Sequence, residues 1–307
     1  METLWRGIAN AWECDELGHM NVRFYLAKAT EAVGGLAQLI GMPDAFTARP
    51  YATLLAREIT VRFLAEARPG TPLLIRGGIL SHDDTSLTAA LVMDHPALKT
   101  PAASFTVRLE HYAPAFGRTF AWSSRTRAAL EALTVETPGV CEPRSLSSAP
   151  PNPDVSANAA TALGLSPIGR GMINADEVDA LGHMRAEFLF GKISDSVTHF
   201  EAAFPDHWQA LRENAPLTRS GAVLEARILT RQWPRAGAGY AIHSGLKAAS
   251  ETVRTLVHWV LDPATGQPLW TMEAVACVMD LTKRKLHRVS TAEVARLQGL
   301  VIEGLRA

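Results

Sequence analysis

The stretch Cys14-Asp15-Glu16-Leu17-Gly18-His19-Met20-Asn21 recurs 164 positions later as Val178-Asp179-Ala180-Leu181-Gly182-His183-Met184-Arg185. No other feature limits the fold as strongly. Across 15–33 and 179–197, Asp, Leu, Gly, His, Met, Phe, Lys and Val recur in register, with Leu-Gly-His-Met unbroken. A repeat of domain size signals a duplicated domain rather than a solenoid. A chain of 307 residues has room for about two domains.

The first copy opens on an apolar run over 4–12, read as a strand, followed by a polar turn from Glu13 to Gly18. From about Asn21 the apolar positions Val22, Tyr25, Leu26, Ala29, Val33, Leu36 and Ile40 follow helical spacing, with Lys28 and Glu31 on the other face. Gly41-Met42-Pro43 ends the helix. The same positions in the second copy are Ala186, Leu189, Phe190, Ile193, Val197, Phe200 and Phe204, all apolar, which predicts a helix of equal length. The pattern then turns extended over 52–64, 72–82, 86–94 and 102–112, and again near 220–233, 238–248, 251–262 and 268–280. Short connections between these strands imply antiparallel pairing. The only partner for each helix's apolar stripe is its sheet. The expectation is therefore α+β: two tandem domains, each a long helix against a five-stranded antiparallel sheet.

The expected division is an N-terminal domain over 1–118, a helix and Pro/Ser-rich linker over 119–164, and a C-terminal domain over 165–307. Thr126 to Leu133 reads as a helix, 137–157 as an extended linker rich in proline, and a last helix runs from Ser290 or Thr291 to about Leu305. A net charge of −1 gives no global field for nucleic acid or an anionic membrane. No apolar run approaches a membrane span, and the N-terminus has no secretory pattern. Three scattered cysteines, Cys14, Cys141 and Cys277, give neither zinc spacing nor a disulfide framework, so a reduced, cytoplasmic chain is expected.

The repeated loop carries the chemistry. The first N–H groups of a helix lack internal partners and sit at the positive end of its dipole, where a developing oxyanion is stabilised. Asp15, one turn earlier, can deprotonate a water or attack directly. Gly18 permits close backbone approach, and His19 and Asn21 supply orienting polar groups. A thioester suits such a site, because its leaving thiolate needs no strong acid; the chain has no Gly-x-Ser-x-Gly elbow. The plainer alternative is that Asp15 and His19 only cap and tie the turn. Residue types alone leave the two readings even.

Asp-x-x-Gly-His-Met-Asn-x-x-x-Tyr, between a first strand and a long apolar helix, resembles the hot-dog-fold acyl-CoA thioesterases of the 4-hydroxybenzoyl-CoA thioesterase type. Two copies in one chain resemble the double hot-dog form. The resemblance implies that Asp15 is the catalytic carboxylate, as base or nucleophile. It implies that Gly18, His19, Asn21 and Val22 form the loop and helix start that polarise the thioester carbonyl, and that Tyr25 matches the family's tyrosine. Val22 departs from the family's second Asn. In the second copy Asp179, Gly182 and His183 persist, while Arg185 replaces Asn and Leu189 replaces Tyr. Arg185 is then a candidate for holding a phosphate or carboxylate, or a solvated charge.

The resemblance also implies an acyl-CoA substrate held at the surface by basic groups, with no cofactor or metal and with further pairing into a homo-oligomer compatible with the fold. Arg57, Arg62, Arg68, Arg227, Arg231 and Arg235 are candidates for the CoA contacts, or else strand-edge charges. Glu58 and Glu225, matched between copies, are candidate second carboxylates or structural partners of the neighbouring helix. Two other functions stand beside hydrolysis: an enoyl-CoA hydratase or dehydratase, and a non-catalytic acyl-CoA binder.

Overall fold

The structure is a computed structural model that describes residues 1–15 and 17–307; the turn expected from Glu13 to Gly18 includes Glu16, which lies outside the described residues. The chain forms two compact units. One comprises Met1–Arg144 and Asn174–Phe190, the other Ser145–Ile173 and Gly191–Ala307.

The first unit contains β1 (Glu2–Ile8), a 3-10 turn over Ala11–Glu13, α1 (Val22–Leu39), β2 (Thr53–Phe63), β3 (Pro72–His82), β4 (Ser86–His95), β5 (Thr100–Ala113), β6 (Arg118–Thr119) and α2 (Ser124–Ala132). Its sheet runs β1-β3-β4-β5-β2, antiparallel throughout, with β6 on the end of β5. The turn from β3 to β4 is fixed by Asp83, whose carboxylate accepts the Thr85 and Ser86 N–H groups and the Ser86 hydroxyl.

Helix α1 begins at Asn21, whose Oδ1 accepts the Arg23 N–H at 3.1 Å, and stops at Gly41, with φ of 81°. It buries Tyr25, Leu26, Ala29, Val33, Leu36 and Ala37 over β1, β3 and β4. Each large apolar side chain so buried contributes about 2 kcal/mol. Lys28, expected on the polar face, is buried instead. Its ammonium meets Glu13 Oε1 at 2.8 Å and lies over the Trp5 ring. The pair ties the middle of α1 to the turn before Asp15.

The second unit continues with α3 (Ala157–Ala162), β7 (Ser166–Met172), α4 (Ala186–Ser194, starting in the first unit), α5 (Pro205–Arg212), β8 (Arg219–Thr230), β9 (Gly239–Ala249), β10 (Val253–Leu261), β11 (Pro268–Asp280), β12 (Lys285–His287) and α6 (Thr291–Gln298). Its sheet is β8-β11-β10-β9-β7, the strand order of the first unit with each member replaced by its repeat. The expected long second helix is wrong: α4 ends at Ser194, and two 3-10 turns, Val197–His199 and Glu201–Ala203, follow. Ser194-Asp195-Ser196 compete for their own backbone and disfavour continuation. The last helix also stops early, at Gln298 before Gly299. Among the described residues, no helix is long and apolar enough to cross a membrane.

The proline-rich linker is strapped down by side chains from the strands. In the first unit, Arg62 Nη1 donates to the carbonyls of Val140 and Glu142, each at 2.8 Å, and Cys141 packs on Ala90 and Val92. In the second, Glu225 accepts the Ser145 N–H, Glu273 accepts the Ser147 N–H, Arg227 donates to the Ser147 and Ala149 carbonyls, and Arg231 to that of Asn152. Arg62, Arg227 and Arg231 are therefore neither strand-edge solvated charges nor open cations. The Glu225 carboxyl holds the linker.

Two adjacent glycines test the helix seat. A Cβ on Gly35 would stand 2.4 Å from the Leu4 carbonyl oxygen, whereas on Gly34 the nearest atom is 4.0 Å away. Urea unfolding is expected to find Gly35→Ala less stable by about 2 kcal/mol. Gly34→Ala, by contrast, is expected to be more stable by about 0.5 kcal/mol.

Candidate active site

The sequence around Asp15 closes on itself. Asp15 N–H donates to the His19 carbonyl at 3.1 Å, Gly18 N–H to the Asp15 carbonyl at 3.0 Å, and Cys14 bridges to Met20. Gly18 takes φ of 78°, a conformation that disfavours a side chain, which is why glycine stands there. Asn21 N–H then donates to the Glu13 carbonyl and the chain enters α1. The second copy is built identically: Asp179 N–H to the His183 carbonyl, Gly182 at φ of 77°, Val178 bridged to Met184.

The first loop brings three titratable groups into a line. His19 Nδ1 lies 3.8 Å from Asp15 Oδ1, and its Nε2 lies 3.8 Å from Glu66 Oε1. Both distances are too long for direct hydrogen bonds. Asp15 is anchored by the Leu17 N–H at 3.0 Å. Glu66 was not legible from the sequence motif; it sits in the loop after β2. The fixing of that loop is explicit: the Tyr25 hydroxyl donates to the Ala65 carbonyl at 3.1 Å and accepts the Ala67 N–H at 3.0 Å, on either side of Glu66. Met20 N–H donates to the Ala67 carbonyl at 2.7 Å. Tyr25 thus spends its hydroxyl on positioning. Its ring continues into an edge-to-face aromatic wall, Tyr25 to Phe63 at 5.4 Å and Phe63 to Phe190 at 6.0 Å.

At the start of α1, Asn21 is the cap: its Oδ1 takes the Arg23 N–H and its carbonyl the Phe24 N–H. Among the described residues the Val22 N–H has no hydrogen bond, and it stands at the positive end of the helix. Cys14, next to Asp15, does not offer a thiolate. Burial, then the carboxylates of Asp15 and Glu13, push its thiol up.

The second loop differs in its side chains. Asp179 Oδ1 accepts two amides, Leu181 at 2.8 Å and His183 at 2.9 Å. The His183 side chain is 7% exposed, against 21% for His19. Leu189 has no hydroxyl to hold a neighbouring loop, and Trp233 occupies the repeat position of Glu66. Arg185 is engaged locally, donating to the Asp176 carbonyl at 2.7 Å and pairing with Glu187 at 3.3 Å. Of the other candidate arginines, Arg57 pairs with Glu110 at 2.6 Å.

The sequence signature of the thioesterase-like superfamily matches residues 9–130 and 173–297. The chain belongs to this superfamily. Among solved structures, it is similar to the 12:0-ACP thioesterase of Umbellularia californica, with 10% identity, 89% of this chain and 92% of that one covered, and a TM-score of 0.64. An acyl-ACP thioesterase from Bacteroides thetaiotaomicron gives 9% identity, coverage of 89% and 96%, and a TM-score of 0.61. These likenesses bear on fold, and the fold is the double hot-dog. No curated protein sequence matches significantly. Membership of the superfamily supports thioester hydrolysis as the general chemistry.

Burial drives the Tyr25 hydroxyl up to about 12, with the Glu66, Cys14 and Asp15 charges adding and the Ala67 N–H opposing. The folded value lies above the unfolded one of about 10, so the stability Tyr25 confers is complete below about pH 10 and is lost as pH rises toward 12. In a tyrosinate absorbance titration, one of the four tyrosines is expected to ionise only near pH 12. Tyr25→Phe should remove that last step.

Proposed function

We propose that the protein hydrolyses an acyl-CoA thioester to the free acid and CoA, with the first loop as its working site. The observation that carries this reading is the line of Asp15, His19 and Glu66 beside the open amide of Val22. Asp15 acts as general base: it takes a proton from water as the water oxygen bonds to the thioester carbonyl carbon. The negative charge that develops on the carbonyl oxygen is met by the α1 N-terminus at Val22. Collapse of the adduct breaks the C–S bond, and the thiolate leaves without a strong acid. His19 orients the attacking water, and Glu66 holds the imidazole from its far side. The aromatic wall of Tyr25, Phe63 and Phe190 suits the apolar part of the acyl group. CoA as the carrier follows from the motif's resemblance to CoA-using enzymes. A reducing compartment such as the cytoplasm suits three free thiols.

The second loop keeps the backbone and has lost the equipment. Asp179 is doubly tied, His183 is buried, and Arg185 is engaged by its neighbours. It serves folding.

Thiol release from a panel of acyl-CoA and acyl-ACP esters tests this. Wild type should release thiol from CoA esters. Asp15→Asn should lower kcat by about 10²-fold or more, the usual scale for a lost base. Asp179→Asn should stay within about threefold of wild type, as expected for a residue outside the reaction. Equal loss in both variants would sink the single-site reading. Release from ACP esters alone would overturn the choice of CoA. No release from any thioester would overturn hydrolysis.

A further inference from the structure

Position 23 of the first copy is position 187 of the second, and the two residues carry opposite charge: Arg23 and Glu187. The Arg23 guanidinium lies 4.7 Å from the centre of the Phe24 ring and 4.8 Å from that of Phe188. Phe24 and Phe188 are themselves the same position of the two copies. Arg23 therefore sits where equivalent points of the repeats meet, inside the first compact unit. Glu187 is 5% exposed, its Oε1 is 3.3 Å from Arg185, and its Oε2 has no hydrogen-bond partner among the described residues. Burial pushes the Glu187 carboxyl up, against the pull of its own backbone amide and of the Arg185 and Arg23 cations, and the Glu31 charge adds to the rise.

We propose that Arg23 and Glu187 form a charge lock that matches the first copy to the second copy and disfavours pairing of either copy with its own kind. A pair of identical copies brings the same residue to both sides of its axis. Two first copies would then set Arg23 against Arg23. Two second copies would set one buried carboxylate against another, which is costly in a low-dielectric setting. One arginine and one glutamate remove both conflicts. The duplication is thus committed: once the two positions diverged, each half had one suitable partner, its neighbour in the same chain.

A thermodynamic cycle in the full chain tests the lock by thermal unfolding. Arg23→Glu reproduces the like-charge meeting of two second copies. It should lower the melting midpoint on the order of 5 °C below that of the neutral Arg23→Gln variant. In a Glu187→Gln background that extra loss should shrink by more than half. The same extra loss in both backgrounds would overturn the proposal, since Glu187 would then not be the partner. If Arg23→Glu does not fold, the neutral cycle decides. Arg23→Gln with Glu187→Gln should lose clearly less than the sum of the two single variants, and strict additivity would refute the lock.

Discussion

One phenolic hydroxyl sets the geometry of the candidate site. Tyr25 reaches from the first turn of α1 to the loop after β2 and binds both the Ala65 carbonyl and the Ala67 amide. That bridge holds the segment carrying Glu66 from both sides. The bridge is stiff because it is buried, with Tyr25 4% exposed, and because the same loop takes a third bond from Met20. Behind it, the Glu13–Lys28 pair fixes the other side of the loop to the middle of the helix. Asp15 and His19 are held between these two anchors, one on either side. A buried pair of this kind adds little net stability, yet removing one partner is costly, so it acts chiefly on where the loop lies.

The first helix and the eight long strands were legible because each must bury one face, and burial writes a period into the sequence. Asp15, Gly18 and His19 were legible because they recur, and Asn21 because it stands just before the apolar stripe of the helix. Glu66 was not. It is an exposed glutamate in an irregular segment, and its counterpart is Trp233, so neither periodicity nor repetition marks it. Tyr25 was the available signal: a hydroxyl on the buried stripe of a helix must find partners, and here those partners flank Glu66. The second helix misled for a different reason. Its apolar spacing persists to Phe204, but spacing only permits a helix, and Ser194, Asp195 and Ser196 turn the chain out of it. The offset between copies, 164 at the loop and 167 from Glu58 and Glu225 onward, marked the change in that segment.

Charge was the hardest property to read. Arg62, Arg227 and Arg231 look alike in sequence to any cation awaiting a phosphate. In the structure each donates to carbonyls of the proline-rich linker, which has few regular backbone partners of its own. Prolines and serines predicted an extended connection, and side chains from the strands strap it down. Meanwhile the two copies differ at 21/185, 25/189 and 66/233, and have kept the same backbone closure of the loop.

The central claim is one working site per chain. Calorimetric titration with a non-hydrolysable thioether analogue of the best acyl-CoA substrate measures it most directly. The account predicts one analogue bound per chain, and no binding after Gly18→Val, a side chain that a φ of 78° does not accommodate. Two analogues per chain, or one that still binds when the first loop is disrupted, would contradict it.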